Sequence, residues 1–312
     1  MELTHPTRDY VTMFIGGFLR YGLFGVLTLF CFITVCVHAQ SLEGRILDLR
    51  RGEFIDESTL ISNLSRTKVV FIGEKHDNSE HHLIEQKLLA TLVDQHTGVV
   101  FEILDSRHHS AVDKLYQSGQ PKITTAALFE LLRWQAVKGW PWTDYGDLFV
   151  LAANSGRLIP GNISPEEMGS IYASGLEATT YQLDPALEER LRQPLLELVF
   201  DGHCGKLPRP ALGPMVDIQL AKDISMAQAI RLDLKQHIFI TGSVHARRDI
   251  GIPQHLSNAV SPDQSLVVIL QQMELDKTSL NQWSDYPNAS MNKADYLWFT
   301  APHADRDYCA DL

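Results

Sequence analysis

Two short stretches hold most of the side chains able to do chemistry. Gly73-Glu74-Lys75-His76 follows the apolar run Val69–Ile72, and Gly242-Ser243-Val244-His245 follows Ile238–Ile240. Each is an apolar run closed by Gly-x-x-His. Imidazole binds divalent cations and carries protons near neutral pH, and a carboxylate beside it supplies negative charge or a general base. Glu74 lies two residues before His76, and Glu102 directly follows Val99-Val100-Phe101. Brought to one crevice, His76, His245 and Glu102 make a set of ligands for zinc or manganese. Glu74 or Glu102 could then activate water. Without an ion, Glu74, His76, Glu102 and His245 make an acid–base set. Glu102 could equally pair with an arginine. His81 and His82 fall in the first turn of the next helix, where solvated positions are expected.

The elements that must position these groups are legible around them. Val69–Ile72, Gly98–Phe101 and Ile238–Ile240 are rich in β-branched and aromatic residues and read as buried strands. After the first of them, Asp77, Asn78 or Ser79 can cap a helix whose Ile84, Leu88 and Leu92 share one stripe. Strand, helix and strand form a parallel unit with a right-handed crossover. Helices are expected over residues 56–64, 147–155 and 215–232 and from Pro165, with further strands at 157–162 and 265–270. The tail, with Tyr296-Leu297-Trp298-Phe299, is expected to form an edge strand. Ala173–Pro214, broken by several prolines, reads as a small inserted helical subdomain. The fold class is therefore α/β, a mostly parallel sheet flanked by helices. Glu74, His76, Glu102, Asn162 and His245 would all fall at carboxyl ends of strands, where open α/β sheets bind ligands.

The chain has 312 residues, a formal charge of −11 and no basic tract, which argues against a nucleic-acid partner. His-Glu-x-x-His, Gly-x-Ser-x-Gly and the phosphate-cradling Gly-x-x-x-x-Gly-Lys motif are all absent. Arg20, the apolar stretch Tyr21–Val37 and Ala39 make residues 1–39 a secretory signal, or else a retained anchor. Either way residues 40–312 are expected to form one α/β domain that lies outside the cytoplasm. Cys31 and Cys36 depart with a cleaved signal, leaving Cys204 and Cys309 to pair or to stay as separate buried thiols. With no Cys-x-x-Cys-His, covalent c-type haem attachment is not expected.

Two further clusters stand out. Trp134, Trp140, Trp142 and Tyr145 could wall a large planar ligand such as a porphyrin, or could pack a core or a dimer contact. Arg247 and Arg248 could grip ligand carboxylates or balance nearby acids.

Several of these stretches together resemble one family. Gly73–Asn78, Phe101-Glu102, Trp140-Pro141-Trp142 with Tyr145, Asn162, Asp223–Ala227 and Gly242–His245 with Gly251-Ile252-Pro253 resemble the ChaN-like haem-binding proteins. These belong to the wider superfamily of Tiki, TraB and erythromycin esterase. The resemblance implies non-covalent haem held between two subunits of a homodimer, with a role in iron or haem uptake at the outer membrane. It also implies a tyrosine on the iron, for which Tyr145, Tyr172 and Tyr181 are candidates in that order. A histidine and a lysine would lie near the propionates; His76, Trp142 and Arg247 complete the expected haem contacts. Other superfamily branches resemble metal-dependent hydrolases that use the paired Gly-x-x-His. The sequence departs from the family in lacking a lipid-attachment site, since Phe30 and Val35 precede the leader cysteines.

Overall fold

The computed structural model describes residues 41–117, 119–256, 260–274, 292–302 and 309–310. The expected signal or anchor lies outside the described residues. Among the described residues no helix is long and apolar enough to cross a membrane.

Eight strands form one sheet: β1 (Ile46–Asp48), β2 (Glu53–Ile55), β3 (Val69–Glu74), β4 (Thr97–Asp105), β5 (Arg157–Asn162), β6 (Gln236–Gly242), β7 (Ser265–Gln272) and β8 (Tyr296–Thr300). Their order is β2-β1-β8-β7-β3-β6-β4-β5. Strands β8 to β5 are parallel, and β1 and β2 add an antiparallel hairpin at one edge. The parallel strands are buried on both faces, so their sequences are continuous apolar runs rather than alternating ones.

Two expectations need correction. Strand β8 is no edge strand, because β1 covers its outer side and every residue of Tyr296–Thr300 is buried. Glu102 does not end its strand either. β4 continues to Asp105 past a register shift between Phe101 and Asp105, and that irregularity is where the Glu102 side chain enters the site.

Helices cover both faces. On one face α1 (Glu57–Leu64), α2 (Ser79–Leu92), α3 (His109–Leu115), α4 (Thr125–Leu131) and α5 (Trp142–Ser155) pack around Phe101, Tyr145 and Phe149. Asn78 caps α2 by accepting from the Glu80 amide, and Asp56 caps α1. Helix α5 begins at Trp142, earlier than its apolar stripe suggests. Helices α6 (Pro165–Ser174), α7 (Pro185–Gly202) and α8 (Gly213–Gln228) enclose a separate apolar cluster that includes Ile171, Leu195, Val216 and Leu220. Of these helices α7 lies within residues 173–214, the stretch read as an inserted subdomain, whereas α6 and α8 lie almost wholly outside it; the layer they form overhangs the carboxyl edge of the sheet. Cys204, just beyond α7, is joined to Cys309 by a disulfide with Cα atoms 5.8 Å apart.

A two-histidine cleft at the carboxyl edge

The two Gly-x-x-His stretches meet because β3 and β6 are hydrogen-bonded neighbours, with Gly73 opposite Thr241 and Glu74 opposite Gly242. The glycines make this approach possible. A Cβ on Gly73 would lie 2.6 Å from Ile269 and 2.9 Å from the Ser243 backbone. The short helix α9 (Ser243–Ala246), which carries His245, could then not sit on the strand end. A Cβ on Gly242 would lie 2.8 Å from His76 Nε2.

Glu102 stands between the two imidazoles. His245 Nε2 is 3.3 Å from its Oε1 and His76 Nε2 is 3.7 Å from its Oε2. Thr241 Oγ1 and the Gly242 amide each donate to Oε2 at 2.8 Å, and Lys222 Nζ lies 3.9 Å from Oε1. Burial opposes the charge on Glu102, but His245, His76 and Lys222 outweigh it and hold the carboxyl far below its usual range. Each imidazole is backed by a second buried carboxylate. His76 Nδ1 is 2.9 Å from Glu74 Oε1, and His245 Nδ1 is 2.6 Å from Asp223 Oδ1. Burial alone would lower both imidazoles; the facing carboxylates raise them above the ordinary value. With Nδ1 anchored, both rings present Nε2 to the same point. That is the way metal-ligating and acid–base histidines are oriented.

Beneath the cleft, Glu74 also accepts from the Tyr145 hydroxyl at 3.0 Å, and His82 Nε2 lies 2.9 Å from its other oxygen, outside hydrogen-bond direction. Burial opposes the Glu74 charge, but His76 and His82 bring the carboxyl down to about 2. His81 and His82, expected on the surface, are both buried, because the first turn of α2 packs against the sheet. His81 Nδ1 accepts from the Lys75 amide and its Nε2 meets Thr300 Oγ1 at 3.0 Å; burial lowers it to about 4, so it is a neutral latch.

The cleft above measures about 990 Å³, at the upper end for small-molecule sites. Its floor is Glu74, His76, Glu102 and His245, and its walls include Trp140, Tyr172, Leu195, Leu198 and Ile218. Of the tyrosines expected to meet iron, Tyr145 is fully buried and donates to Glu74, and burial together with that carboxylate raises its phenol strongly. Tyr181 donates to Glu167 at 3.0 Å and borders a different depression. Tyr172 lines the cleft and is 51% exposed. Trp142 packs against Phe129, Trp134 and Phe149 in the core, and Trp140 takes the cleft wall, its ring 4.7 Å from that of His76. Arg247 is engaged by Asp249 in a two-point pair at 2.9 and 2.6 Å and does not line the cleft. Asn162 donates to the Glu102 carbonyl at 2.8 Å, pinning the irregular part of β4. Among sequence candidates Asp223 was not assigned a role, because its partner is 22 positions away. Glu85 carried no signal beyond its place on the buried stripe of α2.

Fold and site together define an α/β protein with a ligand cleft at the carboxyl edge of a parallel sheet. The profile of the haem-binding uptake family of the Tiki superfamily, ChaN, matches residues 60–256. The chain belongs to that family. Among solved structures it is similar to one described as cofacial heme binding to ChaN of Campylobacter jejuni, with 24% identity and a TM-score of 0.65 over 81% of this chain and 95% of that one. That likeness establishes the shared fold. Two more distant structures are the type III effector HopBA1, 13% identical with a TM-score of 0.41 over 78% of this chain and 93% of that one, and a mutant erythromycin esterase EreC in its open conformation. The latter is 12% identical with a TM-score of 0.42 over 86% of this chain and 99% of that one. Neither is near enough to support an argument about the site. No curated protein sequence matches significantly.

Proposed function

We propose that the protein binds haem non-covalently in this cleft, as an exported, homodimeric component of haem or iron uptake. The observation that carries the reading is that the matched segment, residues 60–256, builds both the histidine floor and the helical wall of the cleft. The cleft fits such a ligand chemically: apolar residues of α7 and α8 line it together with Trp140, and ionisable groups of the strand ends supply polar contacts. In this reading Tyr172 would meet the iron, and Lys75 and His76 the propionates, since all three line the cleft. Haem would supply an iron centre; the chain's residues would orient it and shield one face. The Campylobacter relative binds haem cofacially. The same arrangement here would bring two half-exposed clefts together, which gives the dimer its reason. The Cys204–Cys309 disulfide supports export, since such bonds persist in oxidising compartments. Haemin titration is expected to shift the Soret band at micromolar haemin, with dimerisation on loading. Tyr172→Phe is expected to weaken binding about tenfold or more and to abolish the tyrosinate signature. An unchanged Soret band at micromolar haemin refutes the reading.

A second reading is favoured by the paired His76 and His245, each with Nε2 at Glu102 and Nδ1 on a buried carboxylate. That set would hold zinc or manganese for hydrolysis. Co-purified metal that His76→Ala and His245→Ala each remove would support it; hydrolytic activity in a metal-free preparation would exclude it.

A further inference from the structure

Below the cleft lies a second cluster, two of whose members, His82 and Glu85, neither reading uses. Glu74, at the end of β3, shares it with His82 and Glu85 of α2. One donor atom from each lies within 4.8 Å of the others. Glu85 is 0% exposed and both of its oxygens lack a hydrogen-bond partner. So do both ring nitrogens of the buried His82 and the Oε2 atom of Glu74. Glu74 is divided between two sites: Oε1 is taken by His76 and Tyr145, and Oε2 is turned to this cluster. His82 and Glu85 do not line the cleft.

Buried polar atoms are nearly always hydrogen-bonded, and five without a directed hydrogen bond in one place, two of them (His82 Nε2 and Glu74 Oε2) only 2.9 Å apart, call for an explanation. A single proton does not supply it. Burial and the adjacent Glu74 push the Glu85 carboxyl well up, and a protonated Glu85 could donate to Glu74. That would still leave the second Glu85 oxygen and both His82 nitrogens unsatisfied. An ion engages an oxygen of each carboxylate and one imidazole nitrogen at once. Two carboxylates also balance a charge of +2, so nothing charged is buried uncompensated.

The geometry points to a buried divalent-cation site formed by Glu74 Oε2, His82 and Glu85, clamping α2 to the end of β3 beneath the cleft. One imidazole with two carboxylates suits zinc or manganese. By holding Glu74, the ion would also fix the carboxylate that orients His76, so the site would act as a positioning element for the cleft above. The inference does not depend on haem binding.

The test uses the full chain carrying His76→Ala and His245→Ala, so that the two imidazoles facing Glu102 cannot retain an ion. After EDTA stripping and dialysis against Zn²⁺, the protein is expected to keep one equivalent of zinc. Its Tm should rise by about 5–10 °C when free zinc is a hundred times the Kd. Adding Glu85→Gln, which preserves size but removes the charge, should abolish both effects. Failure to retain zinc, or equal retention after Glu85→Gln, overturns the site. If the Glu85→Gln protein does not fold, the cobalt(II) form of the parent variant decides. X-ray absorption showing one imidazole nitrogen among oxygen ligands supports the site, and a spectrum without imidazole nitrogen overturns it.

Discussion

Replacing Glu102 by Gln isolates the charge that ties the cleft together. The glutamine is isosteric and its amide oxygen can still accept from Thr241 and Gly242, so the packing and both hydrogen bonds can survive. What disappears is the counter-charge for His76, His245 and Lys222. Breaking a buried ion pair from one side costs about 3–5 kcal/mol. Two features place the expectation at the low end: Asp223 still faces His245, and the His76 side chain is 32% exposed and so partly screened. We expect a loss of about 3 kcal/mol at pH 5, read from urea denaturation. The pH dependence carries the stronger test. Both imidazoles are raised in the folded protein. Their favourable contribution is therefore complete below the unfolded value of about 6.5 and is lost as pH rises through the folded values. At pH 5 Glu102 is ionised, so the wild type has the full attraction and the variant has buried cations short of an anion. Once both rings are neutral, the variant should lie within about 1 kcal/mol of wild type. A loss that is constant with pH, or larger at high pH, would refute the placement of Glu102 between two protonated rings.

Other perturbations follow from the same geometry. Gly242→Ala would put a methyl group 2.8 Å from His76 Nε2 at a backbone φ of −56°, which any residue adopts. The cost should be a displaced His76 ring and about 1–3 kcal/mol of stability, seen as a changed His76 imidazole resonance and a lower urea midpoint. Reducing the disulfide, or Cys204→Ser, opens a loop with a sequence separation of 105. By chain entropy that removes up to about 4–5 kcal/mol, so dithiothreitol should lower the wild-type denaturation midpoint and leave the variant's unchanged.

Much of the architecture was legible because parallel strands buried on both faces leave unbroken apolar runs. Val69–Ile72, Ile238–Ile240 and Ser265–Leu270 all sit where those runs placed them. The misreadings share a cause. Tyr296–Thr300 has the same apolar character whether it is an edge or an interior strand; only its pairing with β1 on one side and β7 on the other decides. His81 and His82 look like solvated helix residues because polarity is a statement about the side chain alone. The orientation of α2 against the sheet is a statement about the whole fold.

The sequence by itself determined which groups could do chemistry and that each Gly-x-x-His closes a strand, since local composition sets both strand propensity and the need for glycine at a close approach. It could not determine that β6 lies beside β3, that Glu102 serves two imidazoles, or that Tyr172 rather than Tyr145 meets solvent in the cleft. Those are relations between residues far apart in the chain. They arise only when burial of the apolar surfaces chooses a strand order, and the ionisable groups at the strand ends are carried to wherever that order puts them.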